Sequence, residues 1–188
     1  MNKNRGPSDF DFPQRLVVSS VWAHPELKGK NGFVRTVLGG WQSNVIVTAQ
    51  AGLPLNIVGG VDNSLSGVSG DFADLTNTSW RLPDDRSKGD KILHWFNTAA
   101  FTRNATGTHG TGGRNQLRAP GMWNCDYSLF KNFSLRERAK VQFRSEFFNF
   151  FNHANFGAPN NSFINANFGR ITTARDPRIV QLSLKVTF

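Results

Sequence analysis

The chain has 188 residues, of which 19% are charged and 38% hydrophobic, both below the usual share of a globular protein. A single cysteine excludes a disulfide framework and a thiolate metal site, and no apolar run reaches the ~18 residues of a spanning helix. The formal net charge of +9 is scattered, so it favours neither nucleic acid nor an acidic partner. We expect no cofactor and no nucleic acid.

The sequence predicts five long β-strands in which apolar and polar residues alternate. Residues 1–13 are predicted to be a polar lead or the remnant of a loop, and residues 14–188 a C-terminal β-barrel segment. The strands are predicted near residues 14–23, 41–57, 122–133, 139–151 and 179–188. In the first strand Leu16, Val18, Ser20 and Trp22 share a face, although neighbouring valines blur the pattern.

The last strand has the clearest pattern, because its two faces differ completely in polarity. Its apolar face carries Val180, Leu182, Leu184, Val186 and Phe188. Its other face carries Gln181, Ser183, Lys185 and Thr187. A strand of about 9–11 residues with this alternation is long enough to cross a membrane.

The connections between strands alternate in length. Long polar loops at 59–121 and 152–178 follow the second and fourth strands, whereas shorter connections follow the first and third. A polar loop of about sixty residues is unusual in a compact soluble domain. Long loops at one end and short turns at the other are typical of outer-membrane barrels. The predicted fold is therefore all-β, an antiparallel up-and-down transmembrane β-barrel segment with long extracellular loops.

Two groups of residues are candidate functional positions in such a barrel. The polar faces of adjacent strands carry ionisable residues that would line the lumen, either as a cross-strand ion-pair ladder or as contacts to a plug or substrate: Asp126, Lys140, Arg144 and Glu146. Aromatic residues near strand ends would form a girdle at the lipid interface: Trp22, Trp41 and Trp123.

Motifs for catalysis or metal binding are not apparent in the sequence. The glycine-rich stretch Gly110–Arg114 lacks the Gly-Lys-Ser/Thr of a phosphate loop. The acidic residues of the first long loop do not have the spacing of a calcium loop. We therefore predict no catalytic and no metal site, and a protein that is not an enzyme.

Several motifs, in order along the chain, carry a resemblance to a known family. They are Gly40-Trp41-Gln42, Ala51–Pro54, Trp95–Phe101, Gly112–Asn115, Asp126–Asn132, Phe143–Asn149, Asn167–Ile171, Ala174–Arg178 and the terminal Phe188. Together they resemble the carboxyl-terminal part of TonB-dependent outer-membrane transporters with an Oar-like barrel, of the type abundant in acidobacteria. The resemblance covers nearly the whole chain from residue 14.

That resemblance implies a barrel of about 22 strands with a plugged lumen, located in the outer membrane of a Gram-negative bacterium. It implies uptake of a large substrate, and it implies that the strand ending at Phe188 is the signal for the outer-membrane assembly machinery. The expected partners are outer-membrane lipid, upstream barrel strands and a plug of the same protein, and TonB through an absent amino-terminal part. We expect the chain to be a fragment or truncated gene product that is not functional alone.

A soluble β-sandwich that binds a glycan or an anionic polymer is the alternative. In a sandwich the apolar rows of the strands would be covered by a second sheet, whereas in a barrel they would face lipid. The direction in which those rows point therefore distinguishes the two hypotheses.

Overall fold

The computed structural model describes residues 5–67, 70–136 and 139–188. Its strands are β1 (Arg15–Ala23), β2 (Trp41–Gln50), β3 (Pro54–Leu55), β4 (Asp74–Leu75), β5 (Phe101–Thr102), β6 (Leu117–Arg118), β7 (Met122–Arg136), β8 (Ala139–Phe148) and β9 (Ile179–Thr187). Its helices are α1 (Gly32–Leu38), α2 (Lys88–Leu93) and a 3-10 turn at Thr98–Ala100. No helix within these described ranges is long and apolar enough to cross a membrane.

The chain divides into two compact units, where the sequence predicts one barrel segment from residue 14 onward. The sheet unit comprises Gln14–Gln50, Met122–Asn155 and Asp176–Phe188. The loop unit comprises Ala51–Gly121, Phe156–Arg175 and the amino-terminal segment up to Pro13. The two predicted long loops thus supply most of one compact unit.

The sheet unit is built on one antiparallel five-stranded sheet in the order β1-β2-β7-β8-β9. Strands that follow one another in this order are also successive long strands in the sequence, so the sheet is an up-and-down meander. The all-β, antiparallel character predicted from the alternation is confirmed. In addition, β7 pairs with β8 as the predicted hairpin, with a register shift between Ser134 and Arg136. Glu137 and Arg138 of the predicted turn lie outside the described residues, as do residues 1–4 of the predicted lead.

The register places all short connections at one end of the sheet. Ala23 pairs with Gln42, and Lys140 pairs with Thr187, so the 24–40 connection and the carboxyl-terminal end of β9 lie at the same end. Residues 51–121 and 149–178 connect the strands at the opposite end. The 24–40 connection, predicted as a turn or short excursion, contains helix α1, which was not predicted.

The second strand is shorter than predicted, because β2 ends at Gln50 instead of residue 57. The chain passes so close to another backbone at Gly52 that an added Cβ would lie 1.7 Å from the carbonyl oxygen of Ala119. Pro54 then removes a backbone donor from any continuing ladder. Leu55 and Ile57, predicted to extend the apolar face of the strand, are instead buried in the core of the loop unit.

The bounds of the third and fourth strands also differ from the prediction. β7 continues to Arg136, three residues beyond the predicted end at 133. β8 stops at Phe148 and not at 151, because Asn149 and Asn152 adopt positive φ angles of 51° and 52°. That conformation is incompatible with a strand and is one that asparagine tolerates better than most residues.

The loop unit has an aromatic core of its own. Its buried residues are Leu55, Ile57, Ala73, Phe96, Ala100, Phe101 and Leu117. Phe96 packs edge-on against both Phe101 and Phe168, with ring centroids 5.6 and 5.2 Å apart. Phe168 comes from the second predicted loop, so the core joins the two loops. Periodicity could not reveal this, since the residues come from short, irregular segments.

The described part of the amino-terminal segment, residues 5–13, belongs to this loop unit. Asp9 accepts a hydrogen bond from the side-chain amide of Asn115 at 2.7 Å and from Arg114 at 3.1 Å. Asp11 forms an ion pair with Arg118. These contacts span more than a hundred residues of sequence, which explains why local patterns did not predict them.

Candidate membrane-facing and loop sites

One face of the five-stranded sheet is predominantly apolar across all five strands, and we call it the apolar face. The register aligns on it Leu16, Val18, Ser20, Trp22, Trp41, Ser43, Val45, Val47, Ala49, Trp123, Cys125, Tyr127, Leu129, Lys131, Phe133, Val141, Phe143, Ser145, Phe147, Val180, Leu182, Leu184 and Val186. The five predicted assembly-signal residues include four of these, and Phe188 follows β9 directly.

Many large side chains on the apolar face are open to the surroundings. Leu182 and Leu184 are 65% and 66% exposed, and Trp22 is 69% exposed. A core strand would bury such residues, because each fully buried leucine stabilises a fold by about 1.5–3 kcal/mol. Within the described part of the sheet unit there is one sheet and no second sheet over these rows.

The opposite face, the polar face, carries the predicted lumen-facing residues Asp126, Lys140, Arg144 and Glu146. The cross-strand ion-pair ladder is not what forms, which corrects that prediction. Arg144 Nη2 contacts Glu146 Oε1 at 3.1 Å, two residues along the same strand. Across the strands, Arg144 lies opposite Phe130 and Ser183, and its guanidinium sits 4.8 Å from the Phe130 ring centroid. Arg144 forms no cross-strand ion pair because the two residues opposite it are not acidic.

Asp126 has a different role at the end of β7 where the long connections leave the sheet. Its Oδ1 accepts hydrogen bonds from Asn124 Nδ2 at 2.7 Å and from the backbone N–H of Asn149 at 2.9 Å. Asn149 in turn donates through its side-chain amide to the carbonyl oxygens of His153 and Asp176. Sequence analysis missed Asn149, a buried polar residue that fixes the chain where β8 ends. The signal available in the sequence was that this asparagine directly follows a long amphipathic strand.

The three predicted interfacial tryptophans lie at both ends of the apolar face. Trp22 and Trp41 are at the end with the short connections, and Trp123 is at the other end. Trp41 meets Phe143 edge-on, with centroids 6.3 Å apart. Trp123 packs against His153, with centroids 4.6 Å apart. Other aromatic side chains of this face, Tyr127, Phe143 and Phe147, lie between the two ends.

Lys131 is an exception to the apolar face and was missed by the sequence analysis. It is only 4% exposed, and its Nζ donates to the carbonyl oxygens of Val37 at 3.1 Å and Gly39 at 2.5 Å. The ammonium also lies 5.1 Å from the centroid of the Trp41 ring. The C-terminal end of α1 therefore satisfies a cation that the alternation places among apolar neighbours. The signal available in the sequence was a lysine at a position of β7 where the alternation predicts an apolar residue.

The loop unit contains a network of two carboxylates that organise backbone groups. Asp62 accepts hydrogen bonds from the backbone N–H groups of Gly67 at 2.7 Å and Ser66 at 3.1 Å. Asp71 accepts one from the backbone N–H of Ser64 at 2.7 Å. Desolvation acts to raise the pKa of each carboxyl, but the donated hydrogen bonds outweigh it and lower both pKa values below 3.8.

A second feature of the loop unit is an open cavity of about 390 Å³. Trp80, Trp95, Arg81, Gln116 and Arg118 line it, among others. Trp95 Nε1 already donates to the carbonyl oxygen of Arg118, and the Arg118 guanidinium is engaged by Asp11. Two of the polar groups that line this cavity, the Trp95 indole N–H and the Arg118 guanidinium, therefore help to hold the loop unit together.

Metal chemistry has no evident place in the described ranges, since no three His, Cys, Asp or Glu side chains gather there as a metal site would require. Asp84, Asp85 and Asp90, considered in the sequence for calcium, do not assemble with Asp62 into such a group. Ser87 and Asp90 instead form the amino-terminal cap of α2.

Comparison with known proteins agrees with this geometry. A family model described as an outer membrane beta barrel domain matches residues 1–181. Neither the comparison with curated proteins nor that with solved structures gives a match. The family is typically non-enzymatic. The match covers nearly the whole chain, so the protein belongs to the outer membrane beta barrel domain family and is located in the outer membrane.

Proposed function

We propose that the five-stranded sheet is part of the wall of a TonB-dependent outer-membrane transporter that takes up a large substrate. The apolar face contacts lipid, and the polar face lines the lumen. The observation that carries this proposal is the predominantly apolar face across all five strands, on which Leu16 of β1 and Leu182 and Leu184 of β9 are 59%, 65% and 66% exposed. Exposed rows of this kind are stable against hydrocarbon but not against water.

The dimensions of the apolar face support the same orientation. Trp123 and Phe133 are separated along β7 by about 34 Å at about 3.4 Å per residue. A strand tilted by about 45° would span about 24 Å of membrane over that length, close to the apolar band of about 25 Å in such barrels. The aromatic residues at both ends then match the two interfaces, with Trp22 and Trp41 on the periplasmic side.

The polar face and the loop unit suit the remaining parts of a transporter. Arg144, Glu146, Asp126 and Lys140 would face plug or substrate in the lumen, whereas the loop unit would be extracellular. The final strand would serve the assembly machinery as its recognition signal. The TonB-dependent type rests on the resemblance of the ordered motifs, from Gly40-Trp41-Gln42 to Phe188.

Expression of the full-length gene product tests the proposal in two steps. We expect the protein in outer membranes, released only by detergent, and we expect it to bind the purified carboxyl-terminal domain of TonB. Recovery in the membrane without TonB binding would retain the barrel but refute the TonB-dependent type. Recovery as a soluble monomer would refute the lipid-facing orientation and favour the sandwich that binds a glycan or anionic polymer.

A further inference from the structure

Helix α1, in the short connection between β1 and β2, has an apolar stripe that nothing in its unit covers. Its apolar residues Phe33, Val34, Val37 and Leu38 recur at the spacing of one helical face, and Arg35 and Thr36 lie opposite. Phe33 is 77% exposed and Leu38 is 61% exposed. A seven-residue helix does not maintain itself through propensity alone, so its position depends on what holds it.

Two side chains of the apolar face hold the C-terminal end of α1. Lys131 Nζ donates to the carbonyl oxygens of Val37 and Gly39, and Trp41 Nε1 donates to that of Val37 at 2.9 Å. These carbonyls belong to the last turn of α1 and its C-cap, where backbone acceptors have no partner in the helix. The exposed stripe of α1 is therefore fixed beside the apolar face, at its short-connection end.

The flanks of α1 carry an excess of positive charge. Lys28, Lys30 and Arg35 lie within residues 26–40, against the single carboxylate of Glu26. Glu26 and Lys28 form an exposed pair at 3.2 Å, so Lys30 and Arg35 remain as the net cations of this connection. Apolar residues next to Lys and Arg are the pattern of segments that lie in a membrane interface and contact lipid phosphates.

We propose that α1 is an interfacial helix that lies in the phospholipid leaflet at the short-connection end of the sheet. Phe33 and Leu38 insert between the acyl chains near the headgroups, and Lys30 and Arg35 contact the phosphates. The contacts of Lys131 and Trp41 with the C-terminal end of α1 fix how deeply the helix lies in the leaflet. This inference depends on the proposed lipid contact of the apolar face, since it extends the same surface outward.

Environment-sensitive labels on introduced cysteines test the proposal in the full-length protein, reconstituted in vesicles of phosphatidylethanolamine and phosphatidylglycerol. A nitrobenzoxadiazole label is attached to Phe33→Cys, to Thr36→Cys on the opposite side of α1, or to Leu184→Cys in β9. The parent protein, whose Cys125 is buried, measures background labelling. We expect lipids with a nitroxide near the headgroup to quench the label at 33 strongly, and aqueous iodide to quench the label at 36.

The label at position 184 distinguishes a failure of the interfacial-helix proposal from a failure of the proposed lipid-facing orientation of the sheet. If 184 is quenched by nitroxide lipids while 33 is quenched by iodide, the barrel orientation stands and the interfacial helix is refuted. If 33 resists both quenchers, a protein covers α1 and the inference is again refuted. If 184 is quenched by iodide, the proposed lipid-facing orientation itself fails.

A charge variant tests the phosphate contact. Lys30→Gln combined with Arg35→Gln should increase iodide quenching at position 33 in vesicles that contain phosphatidylglycerol. The same double change should have a smaller effect in phosphatidylcholine vesicles, because their net surface charge is zero. Equal effects in both lipids would refute the electrostatic part of the proposal.

Discussion

Asp126 of β7 accepts the backbone N–H of Asn149, the first residue after β8, at 2.9 Å. The bond connects a strand to the point where its neighbour ends, and Asn149 continues the connection to the carbonyl oxygens of His153 and Asp176. This cluster therefore determines where the hairpin of β7 and β8 stops and the long connection begins.

Asp126→Ala should destabilise this end of the sheet. The Asn149 N–H and the Asn124 amide would lose their acceptor, and each such loss in a buried setting costs about 1–3 kcal/mol. Asp126→Asn keeps one acceptor oxygen and should cost less. Urea unfolding of the full-length protein in vesicles measures both, and equal stability of the two variants would contradict the proposed role of this acceptor.

Leu184→Arg should impair stability in the membrane much more than Gln181→Arg. An arginine on the lipid side costs about 2–4 kcal/mol near mid-membrane. Gln181 lies opposite Glu146 on the polar face, so an arginine there meets a carboxylate. The free energy of unfolding in vesicles distinguishes them. Similar losses for the two variants would show that Leu184 does not face hydrocarbon.

The loop unit should lose stability in acid through Asp62 and Asp71. Both carboxyls have a pKa lowered below 3.8 in the folded state, so their stabilising effect is complete above 3.8 and is lost as the pH falls through the lower folded value. Hydrogen exchange of residues 62–71 between pH 5 and pH 2 measures this. Asp71→Asn should remove part of the pH dependence. An unchanged profile would contradict the assigned hydrogen bonds.

Phe96→Ala should open the loop unit. Phe96 is 2% exposed and packs against Phe101 and Phe168, and loss of a buried phenylalanine typically costs about 3–5 kcal/mol. We expect protease added outside cells to cut residues 51–121 in this variant, while the protein remains in the outer membrane. Leu93→Ala, at an exposed position of α2, is the matched control. Equal protease resistance of both variants would contradict a core centred on Phe96.

Alternation along the strands was sufficient to predict the sheet and the side chains that share each face. Leu184 shows this, since it was assigned to an apolar row from sequence alone and pairs with Phe143. Strand ends were less predictable, because the close approach of Gly52 to Ala119 and the positive φ of Asn149 depend on partners distant in the sequence.

The partners of the charged residues could not be predicted from the sequence either. Residues that share a face do not necessarily form ion pairs across strands, and Arg144 forms its ion pair with Glu146 in its own strand instead of with a carboxylate on the next. Lys131 was missed because its partners are carbonyl oxygens, which every residue has and no motif reveals. The contact that joins the two loops was not predicted for a related reason, since Phe96 and Phe168 come from different loops.

The separate core of the loop unit has an evolutionary consequence. Residues 51–121 and 156–175 hold together through their own phenylalanines, so substitutions on the surface of that unit are accommodated locally. Every long strand, by contrast, must retain a hydrophobic side chain at nearly every second position. Related genes should therefore diverge at two rates, rapidly on the surface of the loop unit and slowly along the long strands.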